Sequence, residues 1–154
     1  MENASQNENG RLNLSDEEME NICRKVDDVL KTEKLYLIHD FSLWDLGRAV
    51  KISPRKVSWA INHHSGDNFY NLITRLRMEE AKELIREKAE KRTRLKYSEI
   101  AAMSGYRSRS SFYTQFAQCV GTTPKQYAEK LDFEGRDGRE CKEFQENKIR
   151  SVNN

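Results

Sequence analysis

Residues 97–127 read YSEIAAMSGYRSRSSFYTQFAQCVGTTPKQY. The stretch carries start and stop signals for three helices. Tyr97 to Ser104 predicts a short helix, with Ile100, Ala101 and Met103 as its apolar positions. Gly105 supplies the turn. Ser108 is an N-cap for a second helix, which holds Phe112 and Phe116 on its inner face and ends near Gly121. Thr123-Pro124-Lys125-Gln126 then combines a cap, a proline at the first helical position and a glutamine at N3. It opens a last helix over 124–131, with Tyr127 and Leu131 inward.

The same grammar occurs upstream. Ser42 caps a helix with Asp45 at N3, and Leu43, Leu46 and Val50 form its inner face. Ser53-Pro54 starts a helix to about His64, with Val57 and Ile61 inward and Gly66 beyond its end. Residues 42–66 and 97–121 therefore each predict helix, turn, helix. Small or apolar residues stand where two helices must cross (Leu46 and Gly47; Ile100 and Ala101), as a helix-turn-helix unit requires. Between the units, Asp67 or Asn68 opens a long helix over 68–92. Phe69, Tyr70, Ile73, Leu76, Arg77, Ala81, Leu84 and Ile85 give its pattern. A helix of roughly 20–25 residues spans about 30–37 Å, close to the ~34–36 Å of one B-DNA turn. No β-alternation is present, so the expected fold is all-α: seven helices, two helix-turn-helix units and one linking helix.

Upstream of both units, residues 1–13 lack apolar periodicity and read as a disordered lead. Ser15 with Glu18 makes a capping box, and Leu14 with Met19 a hydrophobic staple. Met19, Ile22, Cys23, Val26, Val29 and Leu30 follow at helical spacing, giving a first helix over about 16–34. Leu35, Tyr36, Leu37 and Ile38 form a connector expected to dock on the core. Residues 14–41 are thus an acidic helix with its connector, and 42–131 the main domain. Residues 132–154 read as a mobile polar tail, with transient helix around Cys141 to Ile149.

Charge is distributed unevenly. Residues 42–131 hold 17 Lys and Arg against 9 Asp and Glu, whereas residues 1–41 hold 5 against 10. A basic middle between acidic ends suits a polyanionic partner. Cys23, Cys119 and Cys141 are far apart and form no CxxC pair, which speaks against zinc and for reduced thiols in a cytosolic protein. No apolar run of about 18 residues is present, so no membrane contact is expected. Met1 to Gly10 has no apolar signal core, and a cytoplasmic location is the expectation.

With these motifs in hand, Ser42 to Leu131 resembles the C-terminal DNA-binding domain of the AraC/XylS family of bacterial transcription regulators. Ser98-Glu-Ile-Ala-Ala-Met-Ser-Gly-Tyr106, Ser110-x-Phe112-x-x-x-Phe116 and Gly121-x-Thr-Pro124-x-x-Tyr127 carry the strongest match. Phe69-Tyr70 and Arg75-Leu-Arg-Met-Glu-Glu-Ala-Lys82 carry it through the linking helix. The wording also resembles a group from Bacteroidetes-type bacteria. There, a segment like Leu14 to Leu37 joins a sensor or membrane region to this domain, so the resemblance implies the output domain of a larger regulator. The sequence departs from the pattern at Lys51 (often Gly), at Gly47 (commonly Ala), and at Trp59-Ala-Ile-Asn-His-His64, where the recognition helix is often basic and aromatic. A longer charged stretch, Glu87 to Lys96, also precedes the second unit.

The resemblance implies sequence-specific binding of double-stranded DNA, with one recognition helix from each unit in successive major grooves. By alignment to the family's groove-facing positions, Arg55, Ser58 and Trp59 meet base edges. In the second unit Arg109, Ser110, Tyr113 and Thr114 are the base-contact candidates, since Arg binds guanine bidentately and Ser serves several bases. Lys56, Asn62, Arg107, Lys125 and Gln126 are candidates for phosphate contact. The resemblance gives Arg77 a structural role. The reading needs no catalytic residue, cofactor or metal. Further partners it admits are RNA polymerase, a sensor or effector domain ahead of this segment, and a second copy through the first helix. The alternative is a protein-interaction module that keeps the fold with little DNA affinity, suggested by the non-basic end of the third helix and the acidic N-terminal segment. An enzyme is disfavoured, because no Ser-His-Asp, phosphate-loop or HExxH pattern is present.

Overall fold

The computed structural model describes residues 11–137, with side chains described through residue 132. The elements are α1 (Asp16–Glu33), a 3₁₀ turn (Leu35–Leu37), α2 (Leu43–Val50), α3 (Pro54–His64), α4 (Phe69–Glu90), α5 (Tyr97–Met103), α6 (Arg109–Val120) and α7 (Pro124–Asp137). Among the described residues the fold is all-α. The chain divides into two compact units between Leu76 and Arg77, within α4.

The first unit is built on α1, α2, α3 and the start of α4. Ile22, Val26 and Leu30 recur on one face of α1 and are buried with Leu46, Val57, Ala60, Ile61 and Ile73. The acidic helix is thus part of the core beneath the first helix-turn-helix. Its start is fixed by the expected capping box. Ser15 N–H donates to Glu18 Oε2 at 2.8 Å, and Glu18 N–H donates to Ser15 Oγ at 3.2 Å. Leu12 and Leu14 are also buried here. Leu12 corrects the expectation of a disordered lead over 1–13 at its end; residues 1–10 lie outside the described residues. In the connector, Tyr36 is buried while Leu35 and Leu37 are half-buried against the core. Ile38 is 54% exposed, against expectation. The 3₁₀ turn seats Tyr36, and Ile38 follows in extended conformation beyond it.

The second unit holds the rest of α4 with α5, α6 and α7. Met78, Ala81 and Ile85 of α4 pack with Ile100, Ala101, Tyr106, Phe112, Phe116 and Ala128. Phe112 and Phe116 are fully buried, as the pattern predicts. Met103, read as an apolar position of α5, is 50% exposed instead, and Tyr70 of α4 is 62% exposed. In this unit Met78, Tyr106 and Ala128 are core positions that the apolar periodicity does not mark.

Two helix ends differ from expectation. Asn68 is the cap of α4: Asn71 N–H donates to Asn68 Oδ1 at 2.8 Å. The helix stops at Glu90 and not at 92, because Arg92 takes the left-handed conformation (φ 51°) and Thr93 N–H closes on the carbonyl of Lys88 at 3.0 Å. That reversal returns the chain toward the core, where Leu95 is half-buried. Helix α7 continues past Leu131 to Asp137, so the polar tail expected over 132–154 begins as helix. Residues 138–154, including the segment Cys141 to Ile149, lie outside the described residues.

Candidate nucleic-acid interface

In the first unit, α2 and α3 are set by local chemistry. Ser42 N–H donates to Asp45 Oδ2 at 2.8 Å, and Asp45 N–H donates to Ser42 Oγ at 3.2 Å. Hydrogen bonds from the Ser42 side chain and backbone hold the Asp45 carboxyl below its ordinary value. Helix α2 ends at Lys51, which adopts φ 59° and ψ 39° without the glycine that such a turn favours. Pro54 follows at the first position of α3 with Ser53 as cap. Gly47 faces this turn. A Cβ there would sit 2.8 Å from the Ile52 carbonyl oxygen and 3.2 Å from Pro54 Cγ, so the close crossing requires glycine.

The outer face of α3 brings Arg55, Ser58, Trp59 and Asn62 into the wall of one shallow groove. Arg55 and Asn62 are exposed, and Ser58 and Trp59 half-buried. Asn62 Nδ2 lies 3.5 Å from Ser58 Oγ. Trp59 packs at the core edge and stacks on His63, with centroids 4.0 Å apart at 14°. Lys56 lies outside the groove lining, and its charge contributes to lowering the Glu18 carboxyl at the start of α1. The groove also takes in Trp44 of α2, a large exposed residue that pattern reading did not single out. A tryptophan in the first turn of the adjoining helix, off its Leu43, Leu46 and Val50 face, was the available signal.

In the second unit, Ser108 caps α6. Ser111 N–H donates to Ser108 Oγ at 3.1 Å, and Ser108 Oγ donates to Ser111 Oγ at 2.9 Å. Ser111 is the closer cap partner, and Ser110, whose Oγ lies 3.5 Å from Ser108 Oγ, is exposed. Arg109 and Tyr113 form one group. Arg109 Nη2 donates to Tyr113 Oη at 3.3 Å, and its guanidinium carbon lies 5.0 Å from the ring centroid. Tyr97 braces Tyr113 edge-on at 5.9 Å. Thr114 Oγ1 donates to the Ser110 carbonyl at 3.0 Å, which leaves the hydroxyl its lone pairs for accepting. Ala117 and Gln118 continue this exposed row one turn on. They were missed because α6 was read for its aromatic face.

The phosphate candidates are less uniform. Arg107 and Lys125 are exposed. Gln126 is also exposed, but its side-chain oxygen accepts from Thr123 N–H at 3.1 Å while Gln126 N–H donates to Thr123 Oγ1 at 3.2 Å. Its amide NH₂ is the part left for a ligand. Arg77 lies 5.5 Å over the buried Tyr106 ring, a packing position in the second unit. Among the described residues no cluster of His, Cys, Asp and Glu could hold a metal, and no helix is long and apolar enough to cross a membrane.

A family model described as a helix-turn-helix domain matches residues 46–130, more than half of the chain. No curated relative matches the sequence. Among solved structures, the chain is similar to the C-terminal domain of AraT, a response regulator from Geobacillus stearothermophilus: TM-score 0.59 at 29% identity, covering 71% of this chain and 84% of that one. The C-terminal domain of the two-component response regulator yesN from Fusobacterium nucleatum gives TM-score 0.60 at 29% identity, over 70% and 98%. The DNA-binding domain of AdpA, solved in complex with a target DNA, shares the fold at 19% identity and TM-score 0.59, over 77% and 96%. The chain belongs to this family, the AraC-type helix-turn-helix domain.

Proposed function

We propose that this protein regulates transcription in the bacterial cytoplasm by binding double-stranded DNA sequence-specifically, with α3 and α6 as its two recognition helices. The observation that carries the reading is the outer face of α6. Arg109, Ser110, Tyr113 and Thr114 stand together on a helix whose inner face is sealed by Phe112 and Phe116. Such a face offers a guanidinium for guanine and hydroxyls that serve several bases. The corresponding face of α3 offers Arg55, Ser58, Trp59 and Asn62. Family membership supports the same reading.

We further propose that the two helices occupy successive major grooves. The basis is α4, whose 22 residues span about 33 Å, close to one B-DNA turn of ~34–36 Å. Lys56, Arg107, Lys125 and the Gln126 amide are assigned to phosphates. The similarity to C-terminal domains of two response regulators supports a role as the output domain of a larger sensor-regulator.

The test is binding of the purified chain to a duplex selected from random sequence, measured against an unselected duplex. Arg109→Ala should weaken the selected duplex by about 1–3 kcal/mol, roughly 5- to 150-fold, and relax the preference. An unchanged ratio between the two duplexes would remove Arg109 from the assignment. Absence of duplex binding by the wild-type chain at low salt would favour a protein-interaction role instead, since phosphate-driven binding is strongest there.

A further inference from the structure

We propose that Trp44 is a DNA-backbone residue of the first unit, its indole lying on deoxyribose at the rim of the groove that α3 enters. The inference rests on the DNA-binding reading above and adds a contact from α2. Trp44 is 70% exposed in the first turn of that helix, the most exposed of the large hydrophobic side chains described. Trp44 extends an apolar lining that includes Leu43, Pro54 and Trp59, and a contiguous exposed apolar patch of this kind marks an interaction site. Its position fixes which interface. Trp44 shares one groove with Pro54, Arg55, Ser58 and Trp59, so whatever meets the outer face of α3 also meets this ring.

The groove lining carries the Arg55 guanidinium and no carboxylate, which complements a polyanion. Asp45, next in sequence, is turned to the Ser42 cap. In helix-turn-helix docking the first helix crosses the sugar–phosphate backbone while the second enters the groove. Trp44 stands on that first helix. Indole suits the contact: its ring packs on the apolar face of the sugar, and its Nε1–H, a donor only, points to a phosphate oxygen. The contact carries no base information. It therefore sets affinity and register and leaves sequence preference to α3.

The experiment uses the full chain with one selected and one random duplex. Trp44 is one of two tryptophans, so in Trp59→Phe the emission belongs to Trp44 alone, and it is read at duplex concentrations where a separate titration shows that this variant is bound. Adding either duplex should shift that emission to the blue or quench it. Trp44→Ala should weaken both duplexes by the same factor, about five- to tenfold for the apolar area lost. The slope of log affinity against log salt should stay constant, because no charge is removed. Trp44→Phe should recover most of the loss, and the thermal midpoint should not move.

Affinity for both duplexes left unchanged by Trp44→Ala, with emission unmoved by DNA, would overturn the proposal while leaving DNA binding intact. A loss confined to the selected duplex would also overturn it, by making the indole a base reader. If the wild-type chain bound no duplex, the proposal would fall together with the functional reading.

Discussion

Lys51 and Gly47 exchange the roles that the turn of the first unit calls for. Lys51 sits in the left-handed region, where a side chain costs about 1–2 kcal/mol, while Gly47 leaves α2 without a Cβ four residues earlier. Lys51→Gly should therefore stabilise the fold, by up to about 1 kcal/mol once the greater freedom of the unfolded chain is subtracted. A urea unfolding series reads this, and a less stable variant would contradict the backbone assignment. Gly47→Ala points the other way. Helix propensity alone predicts a gain of about 1 kcal/mol. The 2.8 Å approach of its Cβ to the Ile52 carbonyl predicts a net loss, because backbone and not a flexible tip must yield. A more stable Gly47→Ala chain would show that the turn can yield at little cost. Sequence reading marked both positions as departures from the family pattern. It did not yield the close approach, which exists only once α2 and α3 cross.

The capping boxes were legible because they are local. Ser15 with Glu18, Ser42 with Asp45 and Thr123 with Gln126 all close within one helical turn. They also imply a pH response. The Glu18 carboxyl is held below its ordinary value by hydrogen bonds from the Ser15 backbone and side chain, and Asp45 by those from Ser42. A depressed carboxylate contributes stability above its unfolded pKa, near 4, and loses it as pH falls through the lower folded value. The thermal midpoint should therefore decline below about pH 4, and less so in Glu18→Gln/Asp45→Asn. Equal decline in both proteins would assign acid sensitivity elsewhere. The end of α4 was not legible. Arg92 ends α4 by a left-handed turn that no residue type announced. Neither was the exposure of Met103, whose seven-residue helix shows too few turns for periodicity to fix its rotation. Helix α1 was read correctly as amphipathic. Its partner was not legible, because burial against α3 is a long-range fact.

Among the described residues, two compact units each present an outer helix with cationic and hydroxyl groups above a closed apolar core. The family was readable from the Gly105, Phe112, Phe116, Gly121 and Pro124 landmarks. The fold followed from it, because those residues are turn and core positions whose spacing is dictated by packing. The interface was readable only in outline. Solvent-facing residues obey no packing rule, so Trp44, Ala117 and Gln118 carried no periodic signal. The two units differ. On α6, Arg109 and Tyr113 are coupled by stacking and a hydrogen bond, whereas on α3 Arg55 adjoins an indole-lined groove. Selection of random-sequence duplexes by the purified chain addresses both at once. The account predicts an enriched site with two blocks whose centres lie about 10–10.5 base pairs apart, one helical turn. Recovered duplexes without a shared sequence, or with blocks at no fixed spacing, would contradict it.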